Sequence, residues 1–223
     1  MSCHSGVGPT IDDNTSPLIP LAVGNYWVYQ EYSLNKDGSI RSATEDLGGF
    51  KIIDTLSVSL NGQRLKAFQY SRYDSSTNWS SPEGKLIYYG NDGVHFAGTT
   101  EKDSINLLFN DLMFKYPTNK GEKTLAHTFY YFLFGNLENI PDSVITTYTC
   151  VSTDSLFSTP VGDFRCIVYK LRLMLDDYFY LGDAYYFFKP DLGLVGLIRV
   201  IYSYITDKHY YSTKDVLVNY RLK

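Results

Sequence analysis

Lys51 to Leu60 and Gln63 to Tyr70 flank the dipeptide Asn61-Gly62. Asn-Gly between two alternating runs is the strongest short-range hairpin signal, because a type I′ turn needs φ > 0 at both central residues. The turn sets the register: Leu60 faces Gln63, Val58 faces Leu65 and Leu56 faces Ala67. That face is apolar. The other carries Thr55, Ser57, Ser59, Arg64 and Lys66. A sheet built from such ribbons is antiparallel, with one side on a core and the other in water.

A second pair of strands lies in Val144 to Leu173. Val144–Val151 and Phe164–Leu173 are rich in β-branched and aromatic residues, and Thr159-Pro160-Val161-Gly162-Asp163 supplies turn chemistry between them. Pairing placed symmetrically about Ser158 sets Cys150 opposite Cys166, so a cross-strand disulfide is expected.

The rest of the chain reads the same way. Gly24-Asn25 turns into Tyr26 to Tyr32, with Trp27 expected in the core. Asn35 to Gly38 and Gly48-Gly49 read as turns, and Tyr73 to Gly84 as a polar loop. Lys85–Tyr89 and Val94–Ala97 form a hairpin about Gly90 to Gly93. Ser104 to Phe114 has helical spacing at Ile105, Leu108, Phe109 and Leu112, which predicts a short helical turn before a strand. Thr128–Phe134 is a dense apolar run. Tyr178–Leu181, Ala184–Phe188, Leu194–Tyr204, His209–Ser212 and Val216–Leu222 complete the series of strands, separated by Gly182-Asp183, Pro190 to Gly193 and Thr206 to Lys208. The expected fold is mostly β: an antiparallel meander forming a strongly curved sheet, half-barrel or barrel, with few short helices. Residues 1–19 read as a flexible tether and 20–223 as one all-β domain. The spacing P-x-x-x-G occurs at Pro20–Gly24 and again at Pro117–Gly121, about 97 residues on. It allows a division into two related lobes, 20–116 and 117–223.

Composition narrows the function classes. Tyr and Phe number 21 and 13 in 223 residues, which favours strands. A net charge of −4 argues against a nucleic-acid partner, since phosphate contacts need a basic surface. No apolar run approaches 18 residues, so contact with a membrane is expected through an anchor alone. Cys3 supplies one. It follows a small residue in Met1-Ser2-Cys3 and precedes a polar stretch, His4 to Ile19, rich in Gly, Pro, Ser, Thr and Asp. That is the arrangement of a lipidated N-terminal cysteine on a tether, with its signal peptide removed. It accounts for three cysteines together: one anchored and two paired.

Three stretches in order resemble a group of bacterial envelope lipoproteins common in Bacteroidota. They are Pro20-Leu-Ala-Val-Gly-Asn-Tyr-Trp-Val-Tyr29, Thr159-Pro-Val-Gly-Asp-Phe164 with Cys166 and Tyr169, and Tyr186-Phe-Phe-Lys-Pro-Asp-Leu-Gly-Leu-Val195. The resemblance spans roughly residues 18 to 222. It implies secretion, a lipidated Cys3, an all-β fold and a place in the periplasm or at the outer membrane. It brings no catalytic residues. Asp163 and the run Lys189-Pro190-Asp191 depart from the group's pattern.

Catalytic motifs are absent from the sequence. His4, His95, His127 and His209 form no H-E-x-x-H or i,i+4 pair. There is no G-x-S-x-G, P-loop or G-x-G-x-x-G. Asp12-Asp13 and Asp176-Asp177 are adjacent carboxylates, which point to opposite faces on a strand and are solvated on a turn. No cofactor and no metal are expected. Aromatic residues are the remaining candidates: Trp79 on its polar loop, and Tyr178, Tyr180, Tyr185, Tyr202 and Tyr204 in the last third. Aligned phenols suit sugar rings or a peptide, although Tyr is also an ordinary strand former for half-wet faces. Trp79 is expected to fold back onto its own domain; an exposed Trp79 is a binding handle. The expected function is therefore a non-catalytic envelope lipoprotein that binds a protein, glycan or lipid. The alternative is a carrier of an apolar ligand in a curved-sheet cavity, and a hydrolase without a recognisable motif is the least expected.

Overall fold

A computed structural model describes residues 16–101, 104–106, 111–126, 146–174, 180–202 and 210–223. These form thirteen strands: β1 (Tyr26–Leu34), β2 (Ile40–Leu60), β3 (Gln63–Asp74), β4 (Trp79–Gly90), β5 (Gly93–Glu101), β6 (Ser104–Asn106), β7 (Asp111–Lys115), β8 (Lys123–Ala126), β9 (Thr146–Thr159), β10 (Gly162–Met174), β11 (Tyr180–Lys189), β12 (Gly193–Tyr202) and β13 (Tyr210–Arg221). All belong to one antiparallel sheet, ordered β6-β5-β4-β3-β2-β1-β13-β12-β11-β10-β9-β8, with β7 also on β5. Along that order every link joins strands consecutive in sequence except β1–β13, which sets the first strand beside the last.

The sheet is curved, and among the described residues no ladder closes it. Its two ends are nonetheless brought together by β7 and the residues that follow it. Phe114 of β7 packs its ring 4.9 Å from Tyr148, 5.3 Å from Tyr169, 5.6 Å from Tyr186 and 4.7 Å from Phe188, centre to centre. The Tyr169 hydroxyl donates to the Lys115 carbonyl at 2.6 Å, and Lys115 pairs with Glu122. The inward face therefore buries Trp27, Tyr29, Ile52, Ile87, Phe96, Tyr148, Tyr186 and Phe188 in one core. Trp27 is in that core as expected, its indole N–H donating to the Leu192 carbonyl at 2.6 Å.

The Asn61-Gly62 hairpin has the expected register, Leu60 opposite Gln63 and Leu56 opposite Ala67. Both turn residues have positive φ, 49° and 79°. Its apolar side forms a separate cluster: Val58, Leu60, Ala67, Leu86, Tyr88 and Ala97, flanked by Leu56 and Leu65. On β4, Leu86 and Tyr88 belong to that cluster while Ile87 belongs to the main core, so this part of the sheet is apolar on both sides.

Four expectations are corrected. Gly48 and Gly49 do not turn the chain; they lie within β2, opposite Tyr29 and Val28. Tyr73 to Gly84 is mostly strand, and only residues 75–78 turn between β3 and β4. Asp74 closes that turn by accepting from the Ser76 amide at 2.8 Å and the Ser76 hydroxyl at 2.7 Å. No helix occurs among the described residues. Ser104–Asn106, expected to begin a helical turn, pairs with β5, whose open edge offered more hydrogen bonds than an isolated helical turn; Asp111–Lys115 is the strand expected after it, and residues 107–110 lie outside the described residues.

The fourth correction concerns the cysteines. The β9–β10 turn centres on Pro160-Val161, because β9 continues to Thr159 and Gly162 pairs with it. The register shifts accordingly: Cys150 faces Tyr169 and Cys166 faces Ser155. Three residues of β10 then separate the two sites, about 10 Å at the rise of a strand, whereas a disulfide needs Cα atoms within about 7 Å. Both are buried thiols. Cys3, Thr128–Phe134 and Asp176-Asp177 lie outside the described residues, as do His4, His127 and His209.

Candidate functional site

The inward face is organised in lateral rows set by the ladder. Tyr186 of β11 lies opposite Leu197 of β12, Leu197 opposite Asp215 of β13, and Asp215 opposite Glu31 of β1. The next row runs Ala184, Arg199, Thr213 and Ser33. Two carboxylates thus stand directly across a strand pair, an arrangement that repels unless a cation intervenes. Arg199 is that cation. Its guanidinium donates to Asp215 Oδ2 at 2.7 Å, to Glu31 Oε2 at 3.2 Å and to Thr213 Oγ1 at 3.2 Å. Burial, opposed by Arg199 and assisted by Glu31, pushes the Asp215 carboxyl up to about 6.

Beside this charged group lies an apolar pocket. Ile19, Trp27, Tyr29, Tyr70, Ile87, Val94, Met113, Phe114, Tyr186, Phe188 and Leu194 line it. The space between the lining atoms, mouth included, is about 460 Å³, of which about 30 Å³ admits the centre of a water-sized sphere. That is room for about two water molecules. The Tyr29 hydroxyl donates to the Leu194 carbonyl at 2.9 Å. Burial raises the phenols of Tyr29, Tyr70 and Tyr186, so all three are neutral donors at physiological pH. On the same inward face of β4, burial lowers Lys85 to about 7. The result is an apolar chamber with phenols in its wall, two of which, Tyr29 and Tyr186, feel the charges of the neighbouring Asp215 and Arg199.

Of the expected aromatic residues, Trp79 and Tyr185 are the two whose side chains are described, and they lie apart. Trp79 is 51% exposed at the start of β4, contrary to the expectation that it folds back. Tyr185 is half-buried on β11, with the Lys170 ammonium 5.5 Å above its ring. Between β4 and β11 lie β3, β2, β1, β13 and β12. Six strand-to-strand steps put Trp79 and Tyr185 about 29 Å apart along the sheet. Tyr180 sits opposite Met174 and Tyr202 opposite Tyr210 in the ladder. Tyr178 and Tyr204 lie outside the described residues.

Part of the outer face carrying Tyr185 is covered by the chain itself. Phe157 of β9 stacks against Phe187 with ring centres 4.3 Å apart, and Lys214 lies 4.9 Å from its ring centre. A Cβ at Gly196 would stand 2.2 Å from the Phe157 ring, so the glycine is what seats it. His95 and Asp92 touch at 2.6 Å, but across the tight turn between β4 and β5 rather than in the chamber. Among the described residues no group of three or more His, Cys, Asp or Glu is placed to hold a metal ion.

Sequence reasoning missed Glu31, Asp215 and Arg199. Each is a charge at an inward position of an otherwise apolar strand: Trp27, Tyr29, Glu31 on β1 and Leu217, Asp215 on β13. The period-two pattern held the signal, but only the register shows that the three converge.

No protein-family model matches the chain, and no curated protein matches it. Two solved structures resemble it. One is provisionally described as an exported protein with a YmcC-like fold, from Bacteroides fragilis: 14% identity, TM-score 0.46, covering 93% of this chain and 100% of the other. The second is provisionally described as a lipoprotein from Parabacteroides distasonis: 14% identity, TM-score 0.39, covering 92% of this chain and 99% of the other.

Proposed function

We propose that this chain is a non-catalytic binding module of the bacterial cell envelope, held by a lipid on Cys3, whose ligand enters the chamber inside the rolled sheet. The observation that carries the reading is the chamber's make-up. Its wall is apolar and aromatic, and Asp215 and Arg199 act electrostatically on two of its phenols, Tyr29 and Tyr186, with Glu31 held on the same guanidinium. That is the composition of a site that holds an apolar body and orients it by a polar tip. The envelope location rests on Ser2-Cys3, the polar tether behind it and the resemblance carried by the three sequence stretches.

The ligand class is apolar and small in the conformation described, because about 30 Å³ of deep space does not house a lipid chain. Native mass spectrometry on protein taken from its own host's envelope tests the proposal. A bound mass lost on denaturation is the expected result. A native mass equal to the lipidated polypeptide alone, in protein shown to be folded, counts against a resident ligand and returns attention to exposed Trp79.

A further inference from the structure

Part of the chamber wall is supplied by the segment Pro17–Leu21, which precedes the first strand. Leu18 is fully buried in the main core, and Ile19 forms part of the chamber wall. This segment belongs to no strand; the ladder begins at Tyr26. Its backbone is held at a few points. The Tyr89 hydroxyl accepts from the Ile19 amide at 2.5 Å and donates to the Ile19 carbonyl at 2.7 Å. The Asp191 amide donates to the Pro17 carbonyl at 2.8 Å, and the Asn25 side-chain amide to the Pro20 carbonyl at 2.7 Å. Pro17 and Pro20 have no N–H to satisfy, so lifting the segment orphans few donors.

The next residues are fastened differently. Gly24 donates to the Ile52 carbonyl and Ile52 returns a bond to Asn25, at 2.8 and 2.9 Å. The Lys223 amide donates to Asn25 Oδ1 at 2.8 Å. A turn with Gly24 at φ 95° therefore divides a loosely held segment from the sheet and marks the place where it pivots.

We infer that Pro17–Leu21 is a displaceable plug: Leu18 and Ile19 occupy the mouth of the chamber, and their withdrawal about Gly24 admits a small apolar molecule in their place. This rests on the reading of the chamber as the binding site. It also gives the tether a role. A pull from an anchored Cys3 acts first on Pro17, on the side of the plug away from its pivot.

Amide hydrogen exchange on the full chain tests the plug, and benzene, titrated against the methyl signals of Ile87, Val94, Met113 and Leu194, tests the chamber. The amides of Ile19 and Asp191, which bridge the plug, are expected to exchange at least about tenfold faster than that of Ile52, by local opening. Equal rates for all three mean that the segment leaves only when the sheet unfolds, and overturn the plug. Tyr89→Phe keeps the ring and removes both hydroxyl bonds. In that variant exchange at Ile19 and Asp191 is expected to rise by a further factor of about ten with Ile52 unchanged, and benzene to bind at least about fivefold more tightly. Faster exchange with identical benzene affinity overturns the gating while leaving the chamber a binding site. Faster exchange with no benzene shift at any of the four residues overturns the chamber reading, and the gating with it.

Discussion

A Cβ on Gly49 would stand 2.6 Å from the Trp27 carbonyl oxygen and 3.1 Å from that of Tyr73. Both are backbone atoms held in ladders, so neither rotates aside. Gly48, one residue earlier, has nothing within 4 Å of the same construction. Gly49→Ala is therefore expected to cost about 1–3 kcal/mol by forcing β1 and β3 apart. Gly48→Ala should be neutral or gain up to about 1 kcal/mol, since neither packing nor a positive φ opposes it. Urea unfolding of the two variants checks the contrast, and equal effects would show that close approach is not why Gly49 is there. A residue-scale expectation also follows for the cysteines. Burial raises both thiols, Cys166 to about 12, so neither ionises or reacts readily in the folded chain. Non-reducing peptide mapping should find Cys150 and Cys166 unlinked, and a peptide joining them would refute the β9–β10 register.

At the scale of elements, the β2–β3 hairpin was legible down to its register because the information is local. Asn61 and Gly62 demand one turn type, and the turn dictates which residues face each other. Gly62→Ala should destabilise by about 1 kcal/mol through its left-handed backbone alone, since no atom lies within 4 Å of the added methyl. A loss much larger than this in chemical unfolding would mean that the turn packs against something. The β9–β10 hairpin was legible as an element and not as a register. Its turn residues suit more than one placement, and two register shifts between Cys166 and Tyr169 add residues that no alternation pattern reveals. The segments about Pro20–Gly24 and Pro117–Gly121 share more than spacing. Gly24 and Gly121 both have positive φ, and each donates to a strand carbonyl, at Ile52 and Cys150. Ile52 and Cys150 each return a bond to the residue after the glycine, Asn25 and Glu122.

For the molecule as a whole, the pH dependence of stability reports on the group formed by Arg199, Asp215 and Glu31. An unfolded aspartate titrates near 3.9, and burial pushes Asp215 up to about 6 in the fold. The folded chain thus holds this proton more tightly than the unfolded chain. The stabilisation is complete below about pH 4 and is lost as pH rises through about 6. Asp215→Asn removes that dependence. Between pH 4 and pH 7 the variant should gain on the native chain by about 1–3 kcal/mol, measured by unfolding at several pH values. If instead the native chain gains on the variant over that interval, attraction to Arg199 outweighs burial and the account of the site is wrong. Once Asp215 ionises, above about pH 6, the Arg199 guanidinium is shared between two carboxyl groups, those of Asp215 and Glu31.

The sequence by itself determined that the chain is an antiparallel β protein, where its first hairpin turns, and that Trp27 lies in the core. These depend on local chemistry: turn residues with special φ, and apolar alternation at period two. The helical turn expected from Ser104 is not formed over Ser104–Asn106, which pairs with the open edge of β5 instead, while the strand expected after it is β7. The tertiary structure alone set β1 beside β13, which brings Glu31, Asp215 and Arg199 into contact from positions 31, 215 and 199. It also separated Trp79 from Tyr185, and set Leu18 in the core and Ile19 in the chamber wall. The physical reason is the same in each case. Strand propensity and turn chemistry act over a few residues, whereas which strand meets which, and how far the sheet curls, is decided by burying the aromatic rings of both ends of the sheet around Phe114.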